Sequence, residues 1–366
     1  MNVVIAFPSA FTDERILART IEKAARKTIR SVAVEHNCVI CESSDIVELA
    51  CQLATMFGVE SVAVAKKVSS NFSALAAAIV EVGVSLIIPG DRFHVKVILQ
   101  PTAKRDYVSR DIEFAASGML TARVASITAL PAKTEEDASR QILTVVGRES
   151  AYVCIQIMTA PSGLIAGSHG EVLSSIHDSL SFLSSMMAAK AGFDFSSILL
   201  PYVDKSELEI NAKLVQSFAA RTGRKKQTIL TMPINVPGKG AVSALLKEKI
   251  ISKVLIRNQN SSRIIFPFTT AYHPVWFIET IFQETLAAGK MPFAPLIFLS
   301  NELVTYAQKA GIELNISSSA AADITKGKIQ RYGEAVDFEA KSAIKHTKRL
   351  ELKIGPNYLH DILDTI

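Results

Sequence analysis

From Gly170 onward, short apolar runs alternate with stretches of helical spacing, and this alternation restricts the fold more than any other feature of the chain. The runs are VLSS, SSILLPYV, QTILTMPI, RIIFPF and APLIFL. Between them lie Asp178–Ala191, Lys205–Arg221, Gly240–Leu255 and His273–Ala288, and Asn301–Ala310 follows the last run. Repeated strand–helix units cover a sheet on both faces, so the pattern predicts an α/β doubly wound parallel sheet. Ligands of such sheets sit at the carboxyl ends of the strands, near the point where strand order reverses.

The first half reads differently. Val3–Phe7 is a strand, and Asp13–Arg30 is a helix with Ile16, Leu17, Ile21, Ala24 and Ile29 on its apolar side. SVAVEHNCVICES is a strand pair, Asp45–Phe57 a helix closed by Gly58, and SVAVAKKV a further strand. A second α+β unit starts near Asn71 with a helix over Phe72–Val82. RFHVKVILQ then alternates charged and apolar side chains as a half-buried strand does. A basic loop, Lys104-Arg105-Asp106-Tyr107, leads into a helix with Ser109 as expected N-cap, and AYVCIQIM closes the unit.

The composition is apolar, with 49% hydrophobic residues and a mean hydropathy of +0.26. Yet the longest stretch without Asp, Glu, Lys or Arg, Ser150–Gly170, contains Pro161, Gly163, Gly167 and Gly170 and reads as a strand entering a loop. Buried parallel strands account for the apolar excess without a membrane. Cys38, Cys41, Cys51 and Cys154 are too few for a disulfide scaffold, and the expected location is cytoplasmic. The net charge of +5 and pI near 8.9 permit nucleic-acid binding.

The junction SGLIAGSHGEVLSSIHDSLSFLSSMMAAKAG resembles that of tRNA 4-thiouridine synthetases (tRNA sulfurtransferases), where a THUMP domain meets a PP-loop domain through Ser-Gly-Gly-x-Asp-Ser and a helix. The resemblance extends over most of the chain. Residues 1–70 resemble a ferredoxin-like domain ending in GVESVAVAKKV. Residues 71–165 resemble THUMP through RFHVKV, KRDYVSRDIEFAASG and AYVCIQI. Residues 170–315 resemble the PP-loop domain, with FAPLIFLSNELVTYAQKAGIEL as its late segment, and 316–366 is a C-terminal basic tail.

The resemblance implies tRNA as partner, with ATP and magnesium as possible cofactors. It places nucleotide contacts at Ser174, Asp178 and Ser179, with His177 inside the loop and Asp178 the catalytic candidate if the site is active. Three departures fall on the chemistry. Ser175 and Ile176 stand where the motif has glycines that let amides approach a phosphate, and a β-branched Ile suits positive φ badly. No cysteine follows Cys154, so persulfide transfer has no thiol in the second half. FPSAFTDER replaces the family's Arg-Tyr-Gly-Glu segment. The expectation is a THUMP-containing tRNA-binding protein with a degenerate PP-loop. The alternatives are a uridine-thiolating enzyme fed by sulfide or a partner's persulfide, and a non-catalytic nucleotide-binding assembly protein. A homodimer or protein partner is open.

For RNA contact the candidates are Lys104, Arg105, Arg110 and Tyr107, which offer cations and a stacking ring, and the stripe Arg15, Arg19, Lys23, Arg26, Lys27 and Arg30. Each group reads equally as a solvated loop or helix face. Cys38-x-x-Cys41 has metal spacing but no second pair, and on a strand its members face opposite sides, so no metal site is expected. Trp276 reads as core, and Arg224-Lys225-Lys226 as a loop.

Overall fold

A computed structural model describes residues 2–25, 28–101, 103, 105–224, 226–238, 240–258, 261–309, 311–314 and 324–353. The chain divides into two compact units, Met1–Gly163 and Leu164–Ile366. Among the described residues, no helix is long and apolar enough to cross a membrane.

In the first unit the elements run β1 (Asn2–Pro8), α1 (Glu14–Ala24), β2 (Ile29–Glu35), β3 (Cys38–Ser43), α2 (Ile46–Leu53) and β4 (Val59–Ser69). They continue with α3 (Phe72–Leu86), β5 (Arg92–Leu99), α4 (Ser109–Val124), β6 (Leu130–Pro131), β7 (Arg140–Val146) and β8 (Ser150–Thr159). The strands form one sheet in the order β2-β3-β1-β4-β8-β7-β5-β6. β4 pairs with β8 from Ser61↔Thr159 to Ser69↔Ser150, so the two regions separated at residue 70 in the sequence share a single ladder.

Local chemistry sets several boundaries. Asp13 caps α1 by accepting from the amides of Arg15 (2.8 Å) and Ile16 (3.1 Å). The helix expected over 13–30 stops at Ala24, because Ile29 pairs with Ser43 and the Thr28 carbonyl accepts from the Ser44 amide at 2.9 Å. Pairing with β3 overrides helical periodicity there. The hairpin joining β2 and β3 turns through Asn37, whose φ of 58° is left-handed, a conformation Asn tolerates. Ser109 is the first residue of α4 rather than its cap. Val108 holds the cap position, and its amide donates to Asp111 Oδ2 at 3.0 Å.

The second unit runs β9 (Glu171–Ser175), α5 (Ser179–Lys190), β10 (Asp194–Tyr202), α6 (Lys205–Arg221), β11 (Lys226–Pro233), α7 (Gly240–Arg257) and β12 (Arg263–Ile265). It ends with α8 (Val275–Ala287), β13 (Met291–Phe293), α9 (Asn301–Lys309), α10 (Lys326–Gln330), α11 (Gly333–Lys345) and β14 (Lys348–Lys353). The sheet order is β13-β12-β9-β10-β11-β14, parallel except for β14. The chain steps from β9 to β10 and β11, then crosses back to place β12 on the other side of β9. Strand order therefore reverses at β9.

Two expectations are corrected here. APLIFL is not a strand: the ladder ends at Phe293, and Leu296 is buried while the Ile297 carbonyl accepts from the Thr270 amide at 3.0 Å. Its apolar character serves loop packing. Nor is the region from 316 onward simply a basic tail. Residues 315–323 and 354–366 lie outside the described residues, but Ile329, Val336, Ala340 and Ala343 join the core formed with α7, and β14 extends the sheet.

Candidate functional site

β9 delivers Ser174 and Ser175 to the point where strand order reverses, and Ile176, His177 and Asp178 turn the chain into α5. Asp178 is the N-cap of α5. Its Oδ1 accepts from the Ser181 amide at 2.7 Å, and Ser181 Oγ accepts in return from the amides of His177 (2.9 Å) and Asp178 (3.0 Å). The Ile176 amide donates to the Leu199 carbonyl at 2.9 Å. The amides of Ile176, His177 and Asp178 are thus satisfied within the protein.

The two positions expected to need glycine do not need it in this conformation. Among the described residues, the non-glycine residues with left-handed φ are Asn37, Thr128 and Ser162, so Ser175 and Ile176 keep ordinary backbone. The expected strain at Ile176 is absent, and its side chain is fully buried as core. Ser174 is buried as well, with its Oγ 2.7 Å from Ser185 Oγ.

His177 is buried, and its Nε2 lies 2.7 Å from Oε1 of Glu248 on α7. Burial alone lowers the His177 pKa, but the charges of Glu248 and Asp178 outweigh it and raise the group above its ordinary value. Burial pushes the Asp178 carboxyl up, yet His177 and the hydrogen bonds from Ser181 bring it below the usual carboxylate range. Nearby, His273 is lowered, chiefly by burial, and its Nδ1 accepts from the Thr269 amide at 3.2 Å. His177, Asp178, Ser179, Lys247, Glu248 and Tyr272 line a cavity of about 610 Å³. That volume lies within the range of small-ligand pockets. Lys247 forms an ion pair with Glu207 of α6.

Of the predicted nucleotide contacts, His177, Asp178 and Ser179 line this cavity, whereas Ser174 faces the buried Ser185. The site residues missed in the sequence are Ser181, Lys247 and Glu248. Asp178-x-x-Ser181 has the spacing of a reciprocal cap and was readable. Glu248 lies 71 residues from His177 and carries no local signal. A phosphate cradle needs free amides, and those of Ile176, His177 and Asp178 are occupied internally.

The predicted RNA contacts fall into two separate groups. Arg15, Arg19 and Lys23 are exposed on α1, four residues apart, and therefore share one face. α1 packs on β2 and β3, while α4, which follows the basic loop, packs on β5 and β6 at the other end of the sheet. The structure does not bring the two groups together. Arg105 donates to the carbonyls of Gly147 (3.1 Å) and Arg148 (2.9 Å). The Tyr107 hydroxyl donates to Ser70 at 2.5 Å, and its ring meets Phe72 edge-on at 5.6 Å. Arg110 is exposed, and Lys104, Arg26 and Lys27 lie outside the described residues. Arg30 belongs to β2. A second cavity, about 970 Å³, is lined here by Ser70, Phe72, Arg105, Tyr107, Asp111 and Phe114.

Cys38 and Cys41 are buried on β3, and burial pushes both thiols up to about 12. Trp276 packs against the second core, 5.9 Å from Phe277. Arg224 forms an ion pair with Asp194, and Lys226 opens β11.

A parallel sheet whose order reverses at a strand–loop–helix junction, preceded by an α+β unit, defines a protein of two units, α+β followed by doubly wound α/β. No protein-family model and no curated protein matches the sequence. Solved structures do match. A 4-thiouridine synthetase–RNA complex with bound ATP superposes with a TM-score of 0.69 at 12% identity, covering 96% of this chain and 99% of that one. PH1313 from Pyrococcus horikoshii Ot3 superposes with a TM-score of 0.65 at 18% identity, covering 85% of this chain and 100% of that one. The chain has the fold of the 4-thiouridine synthetase.

Proposed function

We propose that this chain is a tRNA-binding protein that holds RNA through its ferredoxin-like and THUMP-like regions, residues 1–165, and does not transfer sulfur. The RNA half of the reading rests on the fold it shares with a synthetase solved in complex with RNA. The exposed cations Arg15, Arg19, Lys23 and Arg110 supply sequence-independent phosphate contacts. The loop after β9 supports a binder over an enzyme. Its amides are taken by Ser181 and Leu199, and its imidazole by Glu248. Residues 155–366 contain no thiol to carry a persulfide.

The test pairs two measurements on the full chain: tRNA binding at two salt concentrations, and pyrophosphate release from ATP with and without tRNA. Salt-sensitive binding without release is expected. Replacing Arg15, Arg19 and Lys23 by Glu weakens binding and flattens its salt dependence by about one slope unit per lost phosphate contact. tRNA-dependent release would replace this reading by the enzyme. Binding that ignores salt and these substitutions would remove the RNA assignment.

A further inference from the structure

We infer that His177, Asp178 and Glu248 form a site for a divalent transition-metal ion, zinc being the best fit. One ligand atom from each of the three lies within 4.8 Å of the others, and all three line the same cavity. Two rigid elements hold them: Asp178 caps α5, and Glu248 projects from the long helix α7. Asp178 uses Oδ1 for its cap, and no hydrogen bond among the described residues engages its Oδ2.

The donor set has the chemistry of such an ion. One imidazole with two carboxylates suits zinc and its neighbours in the first transition row, whereas magnesium prefers oxygen donors and keeps its waters. The close His177–Glu248 contact of 2.7 Å is what the metal-free form of such a pair looks like. A proton on the imidazole bridges the two donors, and the ion takes the place of that proton. Two donors about 2.1 Å from a tetrahedral ion stand roughly 3.4 Å apart, so the pair need open by well under an ångström. Lys247 lines the same cavity but forms its ion pair with Glu207 rather than with either carboxylate of the site.

The test is titration of the metal-stripped full chain with zinc chloride, and separately with cobalt chloride as a spectroscopic probe, without RNA present. One equivalent of each ion is expected to bind. The cobalt spectrum should lack a thiolate charge-transfer band, and binding should release protons, since the imidazole must be deprotonated. Glu248→Gln and Asp178→Asn should each weaken binding at least about tenfold. Asn caps helices as well as Asp does, so the second variant keeps α5 intact and decides the matter if the first does not fold. Absence of zinc and cobalt binding, a thiolate band, or unchanged affinity in Asp178→Asn would overturn the site. The outcome is separable from the RNA reading, which is measured by tRNA binding alone.

Discussion

The two units bury very different amounts of polarity. Among the described residues the first buries five polar or charged side chains, Ser9, Ser43, Asp91, Gln100 and Thr144, and the second buries sixteen. Five of the sixteen, Ser174, Ser175, His177, Ser181 and Ser185, lie on or beside the single turn from β9 into α5, with Glu248 against them from α7. A buried polar group costs free energy unless it is bonded, so a core that only has to be stable excludes it. The first unit follows that rule with Val, Ile, Leu and three buried thiols. The second departs from it at the place where a parallel sheet of this topology presents its ligand.

The probes needed to test the contrast are already in the sequence. The lone tryptophan, Trp276, reports on the second unit, and all four cysteines report on the first. The largest effect should come from the aromatic cores. Phe266→Ala removes a ring stacked 5.0 Å from Phe268, and Phe93→Ala empties a fully buried position in the first unit. Each should cost about 3–5 kcal/mol. In urea, the first should shift the Trp276 fluorescence midpoint and leave thiol exposure in place, and the second should do the reverse. A common shift of both probes in both variants would break the division into two units.

Next in size is the buried polarity itself. Ser185→Ala leaves the Ser174 hydroxyl only its longer 3.3 Å bond to the Ser175 carbonyl, at a cost of about 1–2 kcal/mol, whereas Ser174→Ala with Ser185→Ala should cost less than the sum of the two single changes. Additive losses in the fluorescence midpoint would show that the two hydroxyls do not support each other.

The smallest effect per group, at most about 1.4 kcal/mol in the first pH unit above ~8.5, is alkaline and belongs to the first unit. Burial pushes Cys38, Cys41 and Cys154 up to about 12. Their stabilisation is complete below the unfolded thiol value of ~8.5 and fades as pH rises towards 12. Each thiol should cost at most roughly 1.4 kcal/mol per pH unit in that window. At pH 8 a thiol reagent should label only the exposed Cys51 of the folded chain. Labelling of Cys154 without unfolding would contradict the burial on which the comparison rests.

What the sequence disclosed depended on the range of the forces involved. Lys205–Arg221 was legible to the residue because its boundaries are local, with Asp204 accepting from the Glu207 amide at 2.9 Å. Asp178 was readable as a loop residue entering a helix for the same reason. The end of α1, by contrast, is set by the pairing of Ile29 with Ser43, and the role of His177 by Glu248 on a helix two strands later. Ile176 misled because the motif's glycines suggested a backbone this loop does not adopt. The apolar run APLIFL misled because burial and ladder pairing are separate properties, and only the first holds for Leu296.

The late strand β14 has a consequence for how the molecule comes into being. β11 ends at Pro233, and its outer neighbour begins only at Lys348, tied further by an ion pair between Lys226 and Glu351 at 2.9 Å. At ribosomal speeds of about 5–20 residues per second, β11 waits on the order of ten seconds for that partner to be made. Throughout that interval its outer row of amides and carbonyls is an open template. Nascent chains of this protein therefore pass through a stage at which neighbours on the same polysome can pair through β11, and slowing elongation between Pro233 and Lys348 should raise the yield of aggregate without altering the finished fold.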